Sequence, residues 1–163
     1  MAGEANWCTF TALITDNAEA RAAVQQSADD PQGYFDAREE DLADRGIEDV
    51  EELTGVIPVV DALERAGELA YLDWKEPADE VVGKLARLPR VAGSGVDIPV
   101  LADSDGEVEQ VTAQVNELLR PSGVVVAVLD EDSDAFPLVA VAADRADQVV
   151  ELGQQLGSDV RVP

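Results

Sequence analysis

Val124-Val125-Val126-Ala127-Val128-Leu129, then Asp130-Glu131-Asp132-Ser133-Asp134, then Phe136-Pro137-Leu138-Val139-Ala140-Val141-Ala142 decide the fold of this chain. An unbroken apolar run of strand length, rich in β-branched residues, reads as a buried strand. An acidic turn follows, and after it comes a second run of the same kind. Two such runs joined by a short polar link form a hairpin. Pro137 has no N–H to give to a ladder, so it belongs at the start or the edge of its strand.

Outward from the hairpin, helical spacing takes over on both sides. Residues 143–156 read as a helix closed by Gly157, and residues 159–162 as a short edge strand. Residues 107–120 place Val108, Val111, Val115, Leu118 and Leu119 on one side of an amphipathic helix with an acidic first turn. Residues 90–104 carry Gly, Ser, Pro and Asp and predict a loop, with a short extended piece at 98–101. Pro77 opens a helix through Leu88, and residues 68–74 alternate as a strand.

The N-terminal third is helical throughout. Trp7, Phe10, Leu13 and Ile14 form one apolar stripe. Asp16 or Asn17 caps the next helix, over 18–26, and Asp30-Pro31 starts another that carries Tyr34, Phe35 and Leu42 to a stop at Gly46. A further helix over 48–66 is divided at Pro58 and closed by Gly67. The order predicts an α+β fold: a helical N-terminal third, then a small, mostly antiparallel sheet with helices packed on one face. One domain is expected over residues 1–163.

Charge is the strongest compositional signal. The 163 residues hold 35 acids against 11 bases, a formal net charge of −24. Such a surface repels nucleic acid and anionic membranes, and it speeds encounter with basic proteins. The same acid-rich, lysine-poor composition also marks a salt-adapted protein whose charge serves solubility alone. Cys8 is the single cysteine, so no intramolecular disulfide forms. With an acidic start over residues 1–6 and no apolar run of membrane length, a cytoplasmic protein is expected.

The absence of histidine removes the commonest general base and metal ligand, and with it any Ser-His or Cys-His pair. Cys8 lies in an apolar helical stretch without a local cation and reads as a packed thiol. Gly93-Ser94-Gly95 lacks the lysine of a phosphate loop. Residues 130–134 place carboxylates at the first, third and fifth positions of a calcium-type loop. However, Ala135 and Val141 stand where such a loop needs Gly and Glu, so an acidic turn is the simpler reading. No catalytic residue and no cofactor are expected.

Two strings stand out together: Leu72-Asp73-Trp74-Lys75-Glu76 and Asp132-Ser133-Asp134-Ala135-Phe136-Pro137-Leu138. With them the chain resembles an uncharacterised bacterial family that carries a D-W-K-E element and, downstream, D-S-D-x-[FY]-x-L. The resemblance runs from about Asp29 to the C-terminus, and the Asp30-Pro31 and Arg45-Gly46-Ile47 segments fit it. The family has no assigned activity, so no catalytic residue carries over. What the resemblance implies is that the two strings belong to one folded unit and meet at strand ends.

These readings lead to an acidic, non-catalytic binding protein of the immunity or inhibitor type, whose partner is a basic toxin or nuclease. Asp36, Glu39, Glu40 and Asp41, Asp73 and Trp74, and Asp130, Asp132 and Asp134 are the candidate partner-binding residues. The alternatives are a salt-adapted housekeeping domain, and a protein that binds a divalent metal through carboxylates.

Overall fold

The hairpin lies at the centre of the sheet. The structure, a computed structural model, describes residues 6–53, 55–131 and 133–163. β2 (Val124–Leu129) and β3 (Ala135–Ala142) pair antiparallel from Val124↔Ala142 to Val128↔Leu138. β1 (Leu69–Asp73) flanks β3, and the two-residue β4 (Val160–Arg161) flanks β2, giving the order β1-β3-β2-β4 with every pairing antiparallel. Pro137 stands one residue beyond the last β2–β3 pair, where its missing N–H costs little.

The helices are α1 (Trp7–Ile14), α2 (Ala18–Asp29), α3 (Pro31–Ala37), α4 (Glu39–Asp44), α5 (Ile57–Arg65), α6 (Ala78–Ala86), α7 (Pro89–Ser94), α8 (Val108–Leu119) and α9 (Ala146–Gln155). The α+β class and the helical N-terminal part stand as expected, but the one-sided cover does not. All six residues of β2 are buried. Val125, Ala127 and Leu129 enter a core with α1, α2, α3, α5 and α9, while Val124, Val126 and Val128 enter a second core with α6, α7 and α8. Successive side chains of a strand point to opposite faces, so a strand apolar at every position needs a helical layer on each side.

Local chemistry sets the helix ends. Asn17 caps α2 by accepting the Ala20 N–H at 2.9 Å, and Asp30 caps α3 with Pro31 following it. Glu107 and Gln110 form a reciprocal capping box on α8. Three local expectations are corrected. The predicted helix through residues 34–46 breaks at Arg38 (φ −129°, ψ 23°), whose guanidinium turns back over the Tyr34 ring at 4.1 Å. The loop over 90–104 contains α7, which Pro89 starts, Val91 anchors in the core and Gly95 ends at φ +74°. Residues 98–101 form a 3-10 turn around Pro99 instead of an extended piece.

Two close fits hold the sheet to its helices. Asn116 of α8 is buried and takes the place of a neighbouring strand along β2. Its side chain accepts the Val126 N–H at 2.7 Å, and its amide donates to the carbonyls of Val126 and Pro163, each at 3.0 Å. At Gly153 of α9, a Cβ would lie 2.4 Å from Val160 Cγ2, so the helix backbone packs directly on the Val160 side chain of β4.

Asn116→Ala leaves the buried N–H and C=O of Val126 unsatisfied, loses the bond to the part-buried Pro163 carbonyl, and is expected to cost about 2–4 kcal/mol in urea unfolding. The Thr112 hydroxyl, equally buried one turn earlier, donates to the Val108 carbonyl within its own helix. Thr112→Val is accordingly expected to cost less than about 1.5 kcal/mol, and equal losses at the two positions would contradict the strand-substitute role of Asn116.

Candidate functional site

α5 carries a carboxylate where its apolar face meets the core. Asp61 sits between Val60 and Ala62 and is 1% exposed. A buried carboxylate is costly unless it is paired and hydrogen-bonded. Asp61 is supplied three times: the Tyr34 hydroxyl donates to Oδ2 at 2.5 Å, Arg65 Nε to Oδ2 at 3.1 Å, and Arg45 Nε to Oδ1 at 3.3 Å. Each guanidinium then reaches outward to a second acid, Arg45 to Glu64 and Arg65 to Asp41. Two arginines thus lock together α4, α5 and the turn that follows α4.

The Arg45 guanidinium also lies 5.2 Å from the centre of the Tyr71 ring on β1. Tyr71 in turn donates its hydroxyl to Glu131, which accepts the Ser133 hydroxyl at 3.2 Å as well. A continuous polar chain therefore runs from Asp41 on α4 through Arg65, Asp61, Arg45 and Tyr71 to the hairpin turn. Beside it opens a cleft of about 420 Å³, lined by Asp41, Asp44, Arg45, Asp61, Glu64, Arg65 and Tyr71. Four carboxylates stand there against two guanidiniums, and both guanidiniums are already engaged. The Asp44 carboxylate makes no hydrogen bond or ion pair among the described residues. The cleft therefore carries a net negative charge.

The candidate partner-binding residues fall into two groups. Asp36 accepts from Gln32 at 2.9 Å, Glu39 and Glu40 stand exposed in the first turn of α4, and Asp41 belongs to the cleft. Asp73 and Trp74 lie at the end of β1, where the Trp74 N–H donates to the Asp134 carbonyl at 3.1 Å. The two strings that carried the family resemblance do meet at strand ends, with Asp73 opposite Ala135 and Leu72 opposite Phe136. Trp74 is 44% exposed and carries Lys75 Nζ 5.1 Å from its ring centre. Asp130 accepts from Arg161 at 3.1 Å, a guanidinium that also serves Glu109 and Asp159. Asp134 is exposed, and Asp132 lies outside the described residues.

Among the described residues no group of three or more acids or thiols is arranged to hold a metal ion. In the hairpin turn, Glu131 is held by Tyr71 and Ser133, and Asp130 by Arg161. Cys8 is half-buried, and burial, followed by the nearby Asp29 charge, raises its thiol pKa, so it is not an activated nucleophile. No described helix is long and apolar enough to cross a membrane.

Sequence reading found Asp41 and missed Asp61, Arg45, Arg65 and Tyr71. One signal was available. Val59-Val60-Asp61-Ala62-Leu63 sets an acid inside an apolar helical run, and a charge there requires cationic partners from elsewhere in the chain.

Burial, reinforced by the Glu131 carboxylate that accepts the hydroxyl's hydrogen bond, pushes the Tyr71 pKa up to about 12. Burial and Asp61 raise Tyr34 in the same direction. These are the only two tyrosines of the chain, so tyrosinate absorbance should stay flat through about pH 10, where free tyrosine titrates. Because the folded-state value lies above the unfolded one, the stabilisation is complete below about pH 10 and is lost as pH rises through about 12. Tyr71→Phe should flatten that fall in melting temperature. A tyrosine titrating near pH 10 in the folded protein would contradict the Tyr71–Glu131 contact.

No curated protein and no solved structure matches this sequence. A family model does match, over residues 6–163, and it extends the resemblance upstream of Asp29 through α1 and α2. With the fold and its polar cleft in view, the chain belongs to the family described as Domain of unknown function (DUF6630).

Proposed function

We propose that this protein is a non-catalytic acidic binding protein of the immunity or inhibitor type, which covers the basic functional surface of a toxin or nucleic-acid-acting enzyme. One observation carries the reading: the exposed row Asp36, Glu39 and Glu40 continues into a cleft whose arginines are engaged internally, leaving its excess carboxylates to face outward. Fixed acids next to a rigid scaffold attract a basic surface and keep their geometry on binding. Trp74 and the acidic hairpin turn extend the surface along the far end of the polar chain.

Affinity capture from host lysate at low ionic strength, with the unmodified chain and with Asp36→Asn/Glu39→Gln/Glu40→Gln side by side, tests this. A stoichiometric basic protein should be retained by the unmodified chain, released below about 0.5 M salt and largely lost by the triple variant. Retention of the same protein by both baits, or release only above that salt concentration, would sink the electrostatic reading.

A second reading rests on the spread of charge. Exposed acids also occur outside the cleft lining, including Asp79 and Glu80 on α6, Glu117 on α8 and Glu151 on α9. A salt-adapted domain would carry acids everywhere, and its melting temperature should climb steadily into molar KCl as self-repulsion is screened. A melting temperature that stays level from about 0.1 M upward would rule this reading out.

A further inference from the structure

β1 is an edge strand, and the orientation of its backbone follows from its register. The Trp74 N–H donates to Asp134, so residues 70, 72 and 74 exchange hydrogen bonds with β3, while Leu69, Tyr71 and Asp73 direct their N–H and C=O groups away from the sheet. Two of these outward carbonyls are occupied: Asp73 by the Glu76 N–H at 3.0 Å, and Tyr71 by Lys84 Nζ at 3.3 Å. No described residue accepts the Tyr71 N–H. Lys84 reaches over from α6, steadied by Glu76 at 3.5 Å, and holds the place where the N–H of an added strand would stand. A lysine on an edge strand is a common guard against unwanted pairing.

The same Tyr71 lines the acidic cleft. In an added strand, the residue opposite Tyr71 projects its side chain on the Tyr71 side of the sheet, about 5 Å away. That is the side on which, among the described residues, the Asp44 carboxylate has no hydrogen bond or ion pair and the Glu64 carboxylate is paired with Arg45. Backbone pairing and side-chain charge therefore select one kind of occupant. We infer that the partner docks through an extended basic segment, which pairs with the outer edge of β1 and places an arginine or lysine in the cleft beside Asp44. This rests on the acidic-binding reading above and specifies how that binding is made.

The test is a titration of the 15N-labelled chain at about 20 mM salt with two blocked peptides. One alternates valine and arginine. The other has the same sequence, N-methylated at alternate amides, so that it keeps its charge and loses its strand donors. The unmethylated peptide is expected to shift the amides of Leu69, Tyr71 and Asp73 and to bind at least about tenfold more tightly than its methylated form. Asp44→Asn should weaken it about threefold or more, and Lys84→Gln, which frees the Tyr71 carbonyl, should strengthen it. Equal binding of both peptides, with shifts confined to residues 36–44, would overturn edge docking and leave the acidic-face reading standing. Failure of both peptides to bind would overturn the two together.

Discussion

Burying β2 from both sides removes water from every peptide group along it, and much of the architecture answers that demand. β3 satisfies one edge of the strand. On the other edge β4 is only two residues long, and Asn116 completes the work by offering Val126 both an acceptor and a donor. The two helical layers follow from the same strand, since neither set of alternating side chains has a solvent face. Backbone satisfaction and side-chain cover are thus one constraint, met by β3 and Asn116 in the plane of the sheet and by helices above and below it.

A second buried polar group organises the site. Asp61 contributes nothing to the apolar face of α5, yet two arginines and a tyrosine converge on it. In a chain with so few bases, engaging two of them here leaves the surrounding acids in excess. The outer acids Asp41 and Glu64 are fixed by the guanidiniums that Asp61 orients, which gives an acidic surface a defined shape. Exposed ion pairs contribute little to stability on their own, so the value of this set lies in the positions it imposes.

Much of the fold was legible because the signals were local. Apolar runs marked β2 and β3, helical spacing marked α8 and α9, and the caps at Asn17 and Asp30 stand where side-chain chemistry placed them. Legibility failed where distant contacts decide. The break at Arg38 has no glycine or proline to announce it and comes with a guanidinium stacked on Tyr34. α7 is too short for its spacing to show, though Pro89 and Gly95 bracket it. The second helical layer is implied by β2, whose unbroken apolar run leaves no polar face, but burial alone does not say which elements supply the cover. In the site, acids were visible by number, while the arginines that arrange them are separated along the chain and declare no partner until it folds.

The two faces of β2 differ hardly at all. One offers Val125, Ala127 and Leu129, the other Val124, Val126 and Val128. A slip by one residue would exchange these sets and present each core with side chains of much the same size. Hydrophobicity, which pins the alignment of most half-exposed strands, therefore says little about where this one must stop. The alignment is specified by groups outside it: the Asn116 amide, which on this strand bonds the N–H and C=O of one residue, Val126, and Pro137, which has no N–H to offer just beyond the last β2–β3 pair. β2 is in this sense an interchangeable tape of small aliphatics, and its address is written on the helix and the strand beside it.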